Sequence, residues 1–324
     1  MTARSTQTRV AAVAELESSC LLRPGNTNCG GCGMSIALQL LSRATAGRTV
    51  QLVVPPCCGW VTGGNYPHTA YGASVMASTL GSVGAVASGM ANVARLNSEK
   101  TRVIAWAGDG ATYDIGLAAL SGAAERDEDV LFICYDNEIY GNTGGQRSSA
   151  TPSGASTTTT PRGKRGAKKD IVGIMMAHQV GYVATVSLAH PDDAVRKMRF
   201  AVDARGFRFL HILSPCPTGW KADSSLSVHL VRLAVRGGLF PVLEARDGAL
   251  VVNVRPEFSG VALAEYFSHQ RRFRSGSVDV ADILGAVGRH WAGLERWGAR
   301  LENGEPLGPI GPQGSAAGPD GGAR

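Results

Sequence analysis

Two apolar runs near the middle of the chain each end in polar residues that a strand interior would not tolerate. "TRVIAWA" (residues 101–107) runs into Gly108-Asp109-Gly110, and "DVLFICYD" (129–136) runs into Asn137. Short runs of nearly uniform apolarity, separated by a helical stretch at 113–126, read as parallel strands covered on both faces. The pattern recurs. Strands are expected at 49–55, 182–187 and 207–215, with helices at 81–97, 169–181 and from Pro191, and a hairpin over 241–254 turning at Asp247-Gly248. Pro191 suits a first helical turn, and Asp192 and Asp193 complement its dipole. Strands alternating with helices imply an α/β fold built on a doubly wound, mostly parallel sheet. With 324 residues, 44% of them hydrophobic, the chain can bury a core of that size.

In such sheets ligands bind beyond the carboxyl ends of the strands. The polar signals here all fall at such ends. Cys57 and Cys58 follow the first strand, Gly108-Asp109-Gly110 the second, Asp136-Asn137 the third, and Cys216 the strand at 207–215. Asp109 offers a hard anionic oxygen between two glycines that let the backbone approach a ligand. Asn137 offers a neutral oxygen after one intervening helix, and the next loop can add a carbonyl. Three such oxygens, with diphosphate oxygens and water, complete an octahedral Mg²⁺ site. Amides near 111–114 would face the diphosphate. Gly-Asp-Gly followed by Asn at this spacing is the signature of a thiamine-diphosphate-binding fold.

The cysteines are a second signal. Cys29 and Cys32 form a Cys-x-x-Cys in the glycine-rich "NCGGCG", and Cys57 or Cys58 with Cys216 would complete a set of four. Cys-x-x-Cys alone could serve zinc, a redox dithiol or a cluster; four thiolates suit a [4Fe–4S] cluster, with a closed four-cysteine zinc site as the structural alternative. Cys134 lies inside an apolar strand and reads as a small core residue.

"GDGATYDIGLAALSGAAERDEDVLFICYDNEIYGNTGGQRSSATP", "YVATVSLAHPDDAVRK", "HILSPCPTGW" and the "CGGCG" start are similar to the β subunit of the 2-oxoacid:ferredoxin oxidoreductases, of the pyruvate synthase type. The similarity runs from about residue 23 to residue 275. It implies that Asp109, the Asn137 side chain and the Ile139 carbonyl bind Mg²⁺. It further implies that Gly108 and Gly110 shape the diphosphate turn and that Asn142 lies near the thiazolium and substrate, the position of a catalytic residue. Cys29, Cys32, Cys216 and one of Cys57 and Cys58 would hold the cluster. The following "GWVTGGNYP" favours Cys58, whereas counting from Cys32 favours Cys57. The activity implied is oxidative decarboxylation of a 2-oxoacid, pyruvate first, with coenzyme A taking the acyl group and ferredoxin the electrons. The implied partners are an α subunit carrying the pyrimidine-binding half-site and further iron–sulfur subunits or domains. A non-oxidative thiamine enzyme would leave the four cysteines unexplained, and a cluster- or zinc-binding scaffold that has lost catalysis is told apart by Mg²⁺-dependent thiamine diphosphate binding in complex with the partner.

The remaining features narrow the setting. The net charge of +6 comes without basic residues interleaved with aromatics, so nucleic acid is not expected. No segment reads as a signal peptide or membrane span, so a cytoplasmic protein is expected. The organisation expected is an N-terminal extension (1–22) with a short surface helix, a thiamine-diphosphate domain with its cysteines (23–302), and a Gly/Pro-rich disordered tail (303–324). Residues 141–169 read as a loop whose Lys164, Arg165, Lys168 and Lys169 are solvated and mobile.

Overall fold

The computed structural model describes residues 20–64, 67–246, 248–273, 278–305 and 307. The proposed N-terminal surface helix, Asp247 and nearly all of the tail lie outside the described residues. Along the chain come α1 (Gly33–Ala44), β1 (Val50–Val54), the short α2 (Cys58–Thr62), β2 (Ser74–Ala77), α3 (Val83–Leu96) and β3 (Arg102–Gly108). A π-helical turn (Gly110–Asp114) precedes α4 (Leu117–Glu125), β4 (Val130–Asp136), α5 (Ile171–Ala177), β5 (Tyr182–Val186), α6 (Pro191–Asp203) and β6 (Arg208–Leu213). Then follow α7 (Pro217–Trp220), α8 (Ser227–Arg236), β7 (Val242–Arg246), β8 (Ala249–Val254), α9 (Gly260–Ser268), α10 (Val280–Arg296) and β9 (Arg300–Leu301).

The strands form one nine-stranded sheet in the order β2-β1-β3-β4-β6-β5-β7-β8-β9. Pairing is parallel from β2 through β5; β7 pairs antiparallel with β5 and with β8. Period-two alternation sorts the side chains of the central strands onto two covered faces. Val103, Ala105 and Ala107 of β3 and Val130, Phe132 and Cys134 of β4 share one core with Ala87 of α3 and Leu120 of α4. Ile104, Trp106, Leu131, Ile133 and Tyr135 share the other with Leu38 and Leu41 of α1 and Met198 of α6. Burial of both faces explains why these runs carry no polar alternation.

Several elements differ from expectation. The stretch read as one helix over 113–126 is a π turn followed by a shorter α4, because the Thr112 hydroxyl bonds back to the Gly108 carbonyl (2.8 Å) and Ala111's carbonyl crowds Gly116. The helix at 169–181 is shortened to α5, capped by Asp170, whose carboxylate accepts from the Gly173 amide (2.9 Å). Packing into the domain begins before residue 23: Leu21 and Leu22 are buried, and Leu22 bridges to Tyr71. Among the described residues no helix is long and apolar enough to cross a membrane.

Candidate functional site

Four strands that are neighbours in the sheet, β1, β3, β4 and β6, end on the same side. Their carboxyl ends deliver Cys58, Asp109, Asn137 and Cys216 respectively. Cys58, Gly108, Asp109, Asn137, Ile139 and Asn142 line a single cleft there.

Asp109 is 3% exposed. Its Oδ2 accepts a 2.5 Å hydrogen bond from the Ser148 hydroxyl. Burial pushes its carboxyl well above the usual carboxylate range, and Asp136 adds to that shift, while Ser148 and Lys168 oppose it. An isolated carboxylate in this position is costly, and a divalent cation is the natural compensation. Gly110 and Gly108 are both without positive φ, so neither is required for an unusual dihedral. Gly110 is required for space: a Cβ would lie 2.3 Å from the Tyr140 ring, which its hydroxyl anchors to Asp114 (2.9 Å). At Gly108 a Cβ would meet Tyr135 at an ordinary 3.5 Å.

Asn137 is held at both ends. Its Oδ1 accepts from the Ile139 amide (3.3 Å), and its main-chain carbonyl accepts from the Trp220 indole (2.8 Å). Glu138 between them takes the left-handed conformation (φ 64°). Ile139 packs its side chain against Gly219 of the Cys216 segment. Asn142 sits exposed at the rim, its amide beside the Cys58 sulfur.

The cysteines separate into two kinds. Cys58 and Cys216 both face Gly141, where a Cβ would lie 3.4 and 3.9 Å from their sulfurs. Burial pushes the Cys58 thiol up to about 12, helped by Cys216, Cys57 and Cys32. Cys216 is raised by burial and by Cys32 and Cys29, against a hydrogen bond from the Gly219 amide (3.3 Å). The Cys29–Cys32 loop is fixed to the end of β6 by the Gly33 amide donating to the Pro215 carbonyl (2.9 Å). Side chains at Gly31 and Gly33 would collide with the backbone at Ser224 and Pro215. Cys57 differs: it is 8% exposed and bonds to the Tyr135 hydroxyl. Cys32 acts on both Cys58 and Cys216, and Cys29 on Cys216, so these four thiols lie near one another. Among the described residues no three cysteine sulfurs lie within 4.8 Å of one another.

The 141–169 segment is a loop, but its lysines are not all solvated. Lys164 is 6% exposed and donates to the Ser149 and Thr151 carbonyls (2.9 and 2.6 Å). Lys168 reaches Asp136 (2.6 Å) and Glu138 (2.9 Å), and Lys169 bonds the Tyr113 carbonyl. The reason is that β4 ends in two buried carboxylates that need cations. Asp136 also accepts from Tyr113 (2.7 Å) and contacts His211 (2.8 Å), and Glu138 pairs with the buried Arg272 (2.6 Å). Burial alone would raise Asp136, but Lys168 and His211 outweigh it and hold it below the usual range. Ser148, Lys168, His211, Trp220 and Arg272 support the site without having been expected. The signal in the sequence was His211, which with Arg208 interrupts the otherwise apolar run of β6.

Residues 58–212 match the family described as thiamine pyrophosphate enzyme, C-terminal TPP binding domain. The chain is 39% identical over 285 residues to the ketoisovalerate oxidoreductase subunit VorB of Pyrococcus abyssi, covering 84% of this chain and 90% of that protein. It is 42% identical over 259 residues to the pyruvate synthase subunit PorB of Methanothermobacter marburgensis, covering 78% and 89%. A 2-oxoglutarate:ferredoxin oxidoreductase chain from Magnetococcus marinus shares the fold, with a TM-score of 0.57 at 21% identity over 82% of this chain and 94% of that one. The family match and these relatives define a thiamine-diphosphate-binding oxidoreductase subunit. The chain belongs to the 2-oxoacid:ferredoxin oxidoreductase family, as one subunit of a multi-subunit enzyme.

Proposed function

We propose that this chain supplies the metal–diphosphate half of the thiamine site and the adjacent [4Fe–4S] cluster in an enzyme that oxidatively decarboxylates pyruvate to acetyl-CoA and CO2. The observation that carries this reading is the delivery of Cys58, Asp109, Asn137 and Cys216 by four adjacent strand ends to one edge. Asp109 Oδ1, Asn137 Oδ1 and the Ile139 carbonyl would hold Mg²⁺, a hard oxygen set of the right kind. Ser148 fixes the rotation of the Asp109 carboxylate, and Trp220 fixes the backbone of Asn137. Gly108 and Gly110 would let the backbone meet the diphosphate, and Asn142 would face the thiazolium and substrate from the rim. Cys29, Cys32, Cys58 and Cys216 would hold the cluster. When bound, thiamine diphosphate supplies the carbon nucleophile and electron sink for decarboxylation, and the cluster passes electrons singly toward ferredoxin.

Thiamine diphosphate needs a carboxylate and an apolar cleft at its pyrimidine end. The described residues form one sheet with one such metal half-site, so an α subunit would supply the other half. Its seat would be the cleft rim, where Ile115 is 63% exposed against Gly81, beside the cleft residue Leu80. Coenzyme A and ferredoxin would be engaged with that subunit and further iron–sulfur subunits. A second substrate, ketoisovalerate, is favoured by the longer match to the VorB relatives. The test is anaerobic, coenzyme A-dependent viologen reduction by the purified chain with and without its partner subunits, offering each 2-oxoacid. The complex should turn over pyruvate and the isolated chain neither acid. Turnover by the chain alone would overturn the divided site, and faster turnover of ketoisovalerate by the complex would replace the substrate.

A further inference from the structure

On the outer face of the helical layer that follows Cys216, α8 and α9 bring together His229, Glu265 and His269. Among the described residues this is the one group of three or more His, Cys, Asp or Glu whose ligand atoms all lie within 4.8 Å of one another. Glu265 and His269 are one helical turn apart on the same face of α9, and His229 meets them from α8. His229 Nε2 lies 2.7 Å from Glu265 Oε1, and His269 Nε2 lies 3.8 Å from the same oxygen. The two imidazoles approach at 6.2 Å between centroids. Among the described residues no hydrogen bond is made by the His269 ring; its contact with Glu265 is the longer one, at 3.8 Å.

We propose that His229, Glu265 and His269 form a binding site for a divalent first-row transition ion, zinc in the first instance, separate from the thiamine and cysteine sites. Two neutral imidazoles and a carboxylate are a borderline donor set that suits zinc, cobalt and nickel better than magnesium or calcium. With metal–ligand bonds of about 2.0–2.1 Å, tetrahedral ligands stand ~3.3 Å apart, between the two separations observed, so small side-chain rotations equalise them. The side chains are 35–41% exposed, which leaves the fourth position to water. Arg236, the cation on α8 that also acts on Glu265, is occupied by Glu257 through two hydrogen bonds (2.9 and 2.8 Å). The ion would join α8 to α9, whose Leu230, Leu233 and Tyr266 pack around Trp220. Its role is therefore structural: a clamp on the layer that holds the Asn137 backbone.

The test uses the assembled, tag-free complex with its cluster loaded, stripped of loose metal under anaerobic conditions and titrated with Co²⁺. The expected result is one added ion per chain with weak visible bands and no thiolate-to-cobalt charge-transfer band, which excludes the cysteines as ligands. His229→Ala and His269→Ala should each lose that ion while keeping the cluster absorption and the assembly. Absence of uptake by the unsubstituted complex, or undiminished uptake by either variant, would overturn the site.

Discussion

At Gly110 the constraint is steric and local. A methyl group there would press into the Tyr140 ring, itself tied to Asp114, so Gly110→Ala should cost about 1–3 kcal/mol in chemical unfolding. An unchanged midpoint would mean that the ring moves aside freely. The cysteines allow a sharper comparison. Because Cys58 faces Cys216 and Cys57 faces Tyr135, Cys58→Ser should lose iron and sulfide and Cys57→Ser should keep both, measured anaerobically on the purified complex. The reverse pattern would exchange their roles. Asp109, Asn137 and the thiols were legible from sequence because their chemistry is rare at strand ends. Ser148, His211 and Arg272 were not, since their partners Asp109, Asp136 and Glu138 lie 39, 75 and 134 positions away along the chain. Only folding makes those pairs neighbours.

Among the elements, the central strands were readable because both of their faces are buried. β2 escaped notice because it is a short edge strand with an exposed pattern, and α8 to α10 because no chemistry-bearing motif marked them. The antiparallel extension is anchored by Glu244 on β7. Its carboxylate accepts from Tyr182 of β5 (2.7 Å), Arg196 of α6 (2.7 Å) and Asn253 of β8 (2.9 Å). Burial raises this carboxyl, but the three hydrogen bonds outweigh it and hold it below the usual glutamate value. A depressed folded value contributes stability above the unfolded value, about 4.3, and loses it as pH falls through the folded one. Glu244→Gln should therefore be less stable than the parent at pH ~7, with the difference shrinking as pH drops below about 4. Urea unfolding at both pH values decides it, and a difference independent of pH would contradict the role given to the charge.

For the whole molecule, the sequence leads to the expectation of a diphosphate half-site completed by a partner's pyrimidine-binding half, and the described strands form a single nine-stranded sheet. What it hid was the anchoring of the 141–169 loop, whose Lys168 neutralises Asp136 and Glu138 while Lys164 and Lys169 bond main-chain carbonyls. It also hid the exposed Ile115 at the rim. Ile115→Glu should leave the chain folded yet prevent co-elution with the α subunit in size-exclusion chromatography; retained co-elution would move the interface elsewhere. The central claim is that Asp109 anchors the metal of the thiamine diphosphate site on this chain. It is tested most directly by titrating thiamine diphosphate with Mg²⁺ into the assembled complex in a calorimeter, with the parent chain and with Asp109→Ala. The account predicts saturable binding by the parent and none measurable in the variant, at equal iron content; the same affinity in both would contradict it.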